Sequence, residues 1–139
     1  MSETVHASAV AWDGRALLIT GASGQGKSGL ALSLMALGCR LVTDDRAVLL
    51  ADNGEVHVSP HPRIAGLIEA RGVGILSAEY CAAAPIAFVV DLDRQEPERL
   101  PPRRFITLLG CDLPLIYRVD SPNWVPSLLQ LLKSGWSDQ

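Results

Sequence analysis

Apolar residues along the chain gather in short runs broken by glycine, proline and aspartate, the pattern of strands and brief helices. Residues 5–12 alternate small and apolar positions, and Asp13-Gly14 follows. This predicts a strand that turns tightly into a second one at 16–20, an apolar run placed centrally in a sheet. A glycine-rich turn leads into 27–37, where Leu30, Leu34 and Leu37 mark one face of a helix, closed by Gly38 as a left-handed cap. A strand at 39–43 ends on Asp44-Asp45, and 47–51 and 55–59 read as a hairpin across Asn53-Gly54. After Pro60-His61-Pro62 the pattern predicts a short helix at 64–70, ended by Gly72 and Gly74. A last strongly apolar strand is expected at 85–92, then an exposed, charged, proline-rich loop at 93–104. Residues 105–119 fit either strands or short turns. Ser121 as N-cap and Pro122 at the first helical position predict a helix over 124–133 with an apolar stripe of Trp124, Leu128, Leu129 and Leu132. There is no internal repeat and no long linker, so residues 1–139 are expected to form one domain.

Composition narrows the class. Of the 139 residues, 48% are hydrophobic and 19% charged, as in a folded domain. Aromatics make up only 5%, and a core of Leu, Val, Ile and Ala suits an α/β domain with buried strands. The formal charge is −3 and the longest basic piece is Arg103-Arg104, so no nucleic-acid partner is expected. Cys39, Cys81 and Cys111 show no metal-ligand spacing and read as reduced core thiols. The N-terminus has no apolar signal core, and no run approaches the ~20 apolar residues of a membrane span. A cytoplasmic location without membrane attachment is expected.

The chemistry begins at Gly21-Ala22-Ser23-Gly24-Gln25-Gly26-Lys27-Ser28, a full match to the phosphate-loop pattern, lying between an apolar strand and an amphipathic helix. Its glycines let backbone N–H groups turn toward an anion, and the helix start adds unpaired donors and partial positive charge. Lys27 is expected to meet the β and γ phosphates of ATP, and the Ser28 hydroxyl to meet Mg²⁺. An inert glycine turn would leave Lys27 unexplained at a helix start, where the dipole disfavours a cation.

Other features follow in order: His6 before the loop, Asp44-Asp45 after its helix, then Ile68-Glu69-Ala70-Arg71-Gly72-Val73-Gly74-Ile75-Leu76. With the loop, this set resembles the catalytic domain of bacterial HPr kinase/phosphorylase, whose members carry a phosphate loop, an Asp-Asp pair and a signature close to Glu-x-Arg-Gly-x-Gly-Ile. The resemblance runs from His6 to about Leu92, and the length is similar to a short form of the family consisting of the C-terminal catalytic domain only. It implies an α/β fold with a P-loop NTPase-type core, related to phosphoenolpyruvate carboxykinase, with β-hairpins flanking a central sheet. It implies a kinase that uses ATP and Mg²⁺ to phosphorylate a serine of HPr, the small phosphocarrier of a phosphotransferase system. A reverse activity, with inorganic phosphate attacking the seryl phosphate, and a homo-oligomer, usually a hexamer, are also implied. Carried over by motif, Lys27 and Ser28 hold nucleotide and metal, and Asp45 is base or acid at the seryl oxygen with help from His6. Glu69 is a second Mg²⁺ contact, and Arg71 supports the reverse reaction. Gly29 stands where the family usually has an acidic residue, and its C-terminal Gly-Arg-Asn stretch has no clear counterpart here.

The residues support such chemistry in their own right. Phosphoryl transfer needs positioning, charge neutralisation and a group at the attacking hydroxyl. A carboxylate at a strand end beside the loop can take that proton, and at the carboxyl edge of a doubly wound sheet Asp45 is well placed. Asp44, on the opposite face of the chain, is the rival and is expected to face Mg²⁺ or a structural partner. His6 could equally be an ordinary strand histidine. Asp91, which ends the apolar strand at 85–92, resembles the metal-binding acid of generic P-loop ATPases. A small-molecule kinase and a non-enzymatic ATP-binding regulator remain alternatives.

Overall fold

In the computed structural model, which describes residues 1–137, the chain runs β1 (Ser2–Val5), β2 (Ala7–Trp12), β3 (Arg15–Thr20), α1 (Lys27–Ala36), β4 (Arg40–Thr43), β5 (Ala47–Asp52) and β6 (Glu55–Pro60). A 3-10 turn at Pro62–Ile64 leads to β7 (Leu67–Ala70), β8 (Gly74–Ser77), β9 (Ala84–Gln95), β10 (Arg104–Leu108), β11 (Cys111–Arg118) and α2 (Trp124–Ser134). The fold is α/β, mostly sheet. β9 is its axis. β3 runs parallel along one side of it, while the other side is shared by β6, antiparallel at Ala84 and Pro85, and β11, parallel from Val89 onward. Outside β3 lie β2 and then β4, outside β6 lie β5 and then β1, and β10 pairs with β11. β7 and β8 form a separate two-stranded sheet.

The middles of the central strands β3 and β9, residues 16–19 and 86–90, are apolar on successive residues because both faces are covered. Val10, Leu17, Ile19, Phe88 and Val90 face α1 and α2 and meet Leu30, Leu34, Leu128 and Leu132. Ala9, Leu18 and Val89 face the other way, toward Leu49, Val56 and Val58 of the β5–β6 hairpin and Leu113 of β11. A bulge keeps the long strand in step: Ala16 pairs with Ile86 and Leu17 with Phe88, so Ala87 is skipped and the side chains beyond it change face. Both helices belong to one core layer and hairpins cover the other face, so the sheet is not doubly wound. No helix among the described residues is long and apolar enough to cross a membrane.

The turn chemistry reads through cleanly. Asp13-Gly14 and Asn53-Gly54 have positive φ at both positions, the twist a two-residue hairpin needs. Gly38 ends α1 at φ +113° with its N–H on the Met35 carbonyl, and a Cβ there would stand 3.0 Å from the Trp12 ring. Gly29 is different: it lies inside α1, exposed, and a Cβ there would meet nothing within 4 Å. Gly29→Ala is therefore expected to stabilise the protein by roughly 0.5–1 kcal/mol through lost unfolded-chain entropy. A thermal midpoint at or below that of the wild type in a melting curve would contradict this.

Several expectations are corrected. The helix at 64–70 is instead the 3-10 turn and strand β7, because Ile68 and Ala70 are buried while Leu67 and Glu69 are exposed, a period of two. β9 extends to Gln95, so the exposed loop begins later than expected. Residues 105–119 hold the β10–β11 hairpin, closed by Leu109-Gly110, a turn whose left-handed leucine gives no sequence signal. α2 starts at Trp124 with Asn123 at its N-cap position, and the Ser121 hydroxyl accepts from the Asn123 N–H one turn earlier. Of the cysteines, all free, only Cys39 is buried, and burial pushes its thiol pKa up. The apolar stripe of α2 packs into the chain's own core: Leu128, Leu129 and Leu132 are buried there with α1.

Glu96 and Arg104 tie the end of β9 to β10 through paired bonds of 2.9 and 3.0 Å. The Arg104 guanidinium hydrogen bond holds the Glu96 carboxyl below its ordinary value. A lowered carboxyl contributes stability that is present above its unfolded pKa and is lost as pH falls through the lower, folded one. Replacing Glu96 by Gln is expected to flatten the acid limb of the stability curve as pH falls below about 4.3, the ordinary carboxyl value. Denaturant titrations of both proteins across that range check it, and parallel limbs would refute it.

Candidate active site

β3 ends at Thr20, whose hydroxyl donates to the Val90 carbonyl at 2.8 Å and locks the strand to β9 just before the chain leaves the sheet. The glycine-rich turn Gly21–Gly26 follows. Gly21 has φ +153°, and a Cβ there would sit 3.0 Å from the Leu92 Cβ, so only glycine passes β9 this closely. Gly24 and Gly26 also have positive φ, and α1 begins at once with Lys27. Lys27 is buried. Its ammonium donates to the Gly21 carbonyl at 2.8 Å and the Ala22 carbonyl at 3.3 Å, folding the side chain back over the loop.

Asp44 is the hub. It lies just past β4, 7% exposed, and its Oδ1 accepts from the Ser28 hydroxyl at 2.6 Å and the Ser8 hydroxyl at 2.9 Å, while Oδ2 accepts from the Glu69 N–H at 3.0 Å. One carboxylate thus joins the glycine-rich loop, β2 and β7. Asp45, the next residue, is exposed, with φ +65° and its N–H on Ser8 Oγ at 3.1 Å. Among the described residues, its carboxylate has no hydrogen bond or ion pair, so it is free to meet a substrate.

The other expected residues stand further out. Glu69 reaches Asp44 through its backbone, and its carboxylate is exposed. Arg71 lies exposed at the tip of the β7–β8 hairpin. His6 is exposed in the bend between β1 and β2, not within a strand, and among the described residues no hydrogen bond joins it to Asp44 or Asp45. Asp91 accepts from the Asp93 N–H at 2.9 Å and lies 3.7 Å from Arg94, so its carboxylate is engaged on its own strand. Two neighbours carry no signal in the sequence. Asp93 accepts the Ala22 N–H at 3.0 and 3.1 Å and anchors the loop to β9. Ser8 is a fully buried hydroxyl in an alanine-rich strand, a pattern that gives no sign of a site.

The profile of the HPr serine kinase C-terminal domain matches residues 1–97, most of the chain. The chain belongs to this family. It is 38% identical to the HPr kinase/phosphorylase of Geobacillus kaustophilus over 103 residues, which are 68% of this chain and 33% of that protein. It is 40% identical to the Pediococcus pentosaceus enzyme of the same name over 75 residues, 53% of this chain and 24% of the relative. The matched region thus spans a third or less of these curated relatives. The fold is similar to the solved HPr(Ser) kinase/phosphatase of Coxiella burnetii, with a TM-score of 0.76 at 27% identity, covering 94% of this chain and 93% of that one. The structural likeness therefore extends past residue 97, where the family profile stops, into β10, β11 and α2.

Proposed function

We propose that the chain transfers the γ-phosphoryl group of ATP to a seryl hydroxyl of an HPr-like phosphocarrier. One observation carries the reading: Asp44 binds the loop serine, β2 and β7 at a single buried point, with a free carboxylate, Asp45, directly beside it. Residues 1–137 would act together as the kinase unit. The N–H groups of Gly24, Gly26, Lys27 and Ser28 would face the phosphates, while that of Gln25 stays on the Ala22 carbonyl, and Lys27 would move from the Gly21 and Ala22 carbonyls onto the phosphates, neutralising charge as it develops. The donor set suits Mg²⁺, which takes a few hard oxygens and leaves the rest of its shell to phosphate and water. Ser28 Oγ and Asp44 supply such oxygens, and among the described residues no cluster of three or more His, Cys, Asp or Glu forms a cage for another metal. When bound, Mg²⁺ would neutralise phosphate charge. Because Ser28 gives its proton to Asp44, its oxygen lone pairs point outward for that ion.

Asp45 takes the proton of the attacking serine as the new O–P bond forms and the bond to ADP breaks. Glu69 would be a second Mg²⁺ contact and Arg71 would serve the reverse activity, in which inorganic phosphate attacks the seryl phosphate, the seryl oxygen leaves and pyrophosphate forms; both lie exposed on the β7–β8 hairpin. A hexamer rests on family likeness alone and needs a surface other than the α2 stripe.

Incubation with γ-labelled ATP, Mg²⁺ and HPr should label a serine of HPr. Lys27→Ala should weaken ATP binding by at least about tenfold in calorimetry, the loss of one charge-assisted contact. Nucleotide binding without labelling of HPr would favour a small-molecule kinase or a regulator, and equal ATP affinity in wild type and Lys27→Ala would remove the nucleotide reading itself.

A further inference from the structure

The segment carrying Asp45 has an unusual backbone. The Arg46 N–H donates to the Asp44 carbonyl at 2.8 Å, closing a three-residue turn with Asp45 at its centre and φ +65°. A γ-turn with positive φ at its centre is rare and strained, and it persists only where its surroundings hold it. Two buried hydroxyls do so here. Thr43 donates to the Arg46 carbonyl and closes the outside of the turn. Ser8, from β2, reaches in from across the sheet: it accepts the Asp45 N–H at 3.1 Å and donates to Asp44 Oδ1 at 2.9 Å.

Ser8 is 0% exposed, and its neighbours in the strand, Ala7 and Ala9, are equally buried. A buried strand serine ordinarily satisfies its hydroxyl on a nearby carbonyl. This one instead uses donor and acceptor on two successive aspartates. The arrangement is directional. The hydroxyl proton is committed to Asp44, so the oxygen lone pairs are available to the Asp45 amide, and neither bond can form with the roles reversed because an amide N–H only donates. The pair of bonds sets where the peptide between Asp44 and Asp45 lies, and hence where the Asp45 carboxylate leaves the surface relative to Ser28.

We infer that Ser8 is a positioning residue for phosphoryl transfer: it holds the strained turn that presents Asp45, and links that turn to the loop serine through Asp44. The inference rests on the proposed role of Asp45. Misplacing a reacting group by about 1 Å can cost on the order of a hundredfold in rate. Ser8 acts through one partner, so its removal should lower kcat by about tenfold or more and leave ATP affinity and the KM for HPr within about threefold.

The test uses Ser8→Ala, the isosteric Ser8→Cys, Asp45→Asn and the double variant Ser8→Ala with Asp45→Asn. Ser8→Cys fills the same space with a weak hydrogen-bonding group, so it reports on the bonds even if Ser8→Ala folds poorly. Both Ser8 variants should show the kcat loss, and in the Asp45→Asn background the Ser8 change should cost less than about twofold, because the group it positions is already inactive. Amide hydrogen exchange at Asp45, read by NMR without any acceptor protein, should accelerate at least about tenfold in both Ser8 variants as the turn opens. Wild-type kcat in Ser8→Cys, equal losses in both backgrounds, or unchanged exchange at Asp45 would each overturn the assignment. A wild-type protein that does not label HPr would instead overturn the kinase reading, while the exchange measurement still decides whether Ser8 holds the turn.

Discussion

Asp45→Asn is expected to lower seryl phosphorylation of HPr by at least about a hundredfold, the low end for loss of a general base, with ATP affinity within about threefold. A serine hydroxyl is far too weak an acid to attack unaided at neutral pH, and a carboxylate within reach can take its proton as the bond to phosphorus forms. Asp44 is poorly suited to this work because its oxygens already accept from Ser8, Ser28 and Glu69. Among the described residues Asp45 carries no such bonds, and it is exposed at the centre of the adjoining turn. Asparagine tolerates left-handed backbone, so the turn should survive the substitution and the loss should be chemical. A companion variant separates stability from function. Asp45→Gly relieves the positive φ and should raise stability by about 1 kcal/mol while abolishing transfer. Single-turnover labelling and thermal unfolding check the two halves, and an Asp45→Asn protein that labels HPr at the wild-type rate refutes the base assignment.

Asp44→Ala should have the largest structural effect of any single change at the site. It strands the fully buried Ser8 hydroxyl and removes the acceptor of two part-buried donors, the Ser28 hydroxyl and the Glu69 N–H. A buried group left without a partner costs about 1–3 kcal/mol, so the protein should lose about that much. Asp44→Asn keeps one acceptor oxygen and should lose less, but it removes the charge beside Ser28. Its half-saturating Mg²⁺ in the HPr assay should therefore rise several-fold at fixed ATP. Melting curves and a Mg²⁺ titration distinguish the two. A wild-type midpoint for Asp44→Ala would mean that the hydrogen-bonded hub contributes nothing to the fold.

Much was written into local sequence, for physical reasons. Asp13-Gly14 and Asn53-Gly54 name their own turns because few residues other than glycine and asparagine or aspartate accept positive φ in pairs. The loop from Gly21 to Ser28 is legible because its chemistry needs consecutive backbone positions and one cation at the helix start, all within eight residues of chain. The apolar runs of β3 and β9 reveal central strands because burial on both faces removes polar residues altogether. What the chain could not announce is whatever depends on a partner distant in sequence. β7 looked like a helix because its pairing with β8, and the Asp44 bond to the Glu69 N–H, lie outside any local window. The change of face at Ala87 needs β3 alongside β9. The layering, with both helices on one face and the hairpins on the other, depends on packing between elements far apart in the chain. Ser8 and Asp93 are ordinary residues in sequence, and they become parts of the site only because β2 begins and β9 ends beside the loop, where a hydroxyl and a carboxylate can reach Asp44, Asp45 and Ala22. The division of labour within Asp44-Asp45 is likewise tertiary: two identical side chains differ because three donors from separate elements converge on the first, and a strained turn points the second toward solvent.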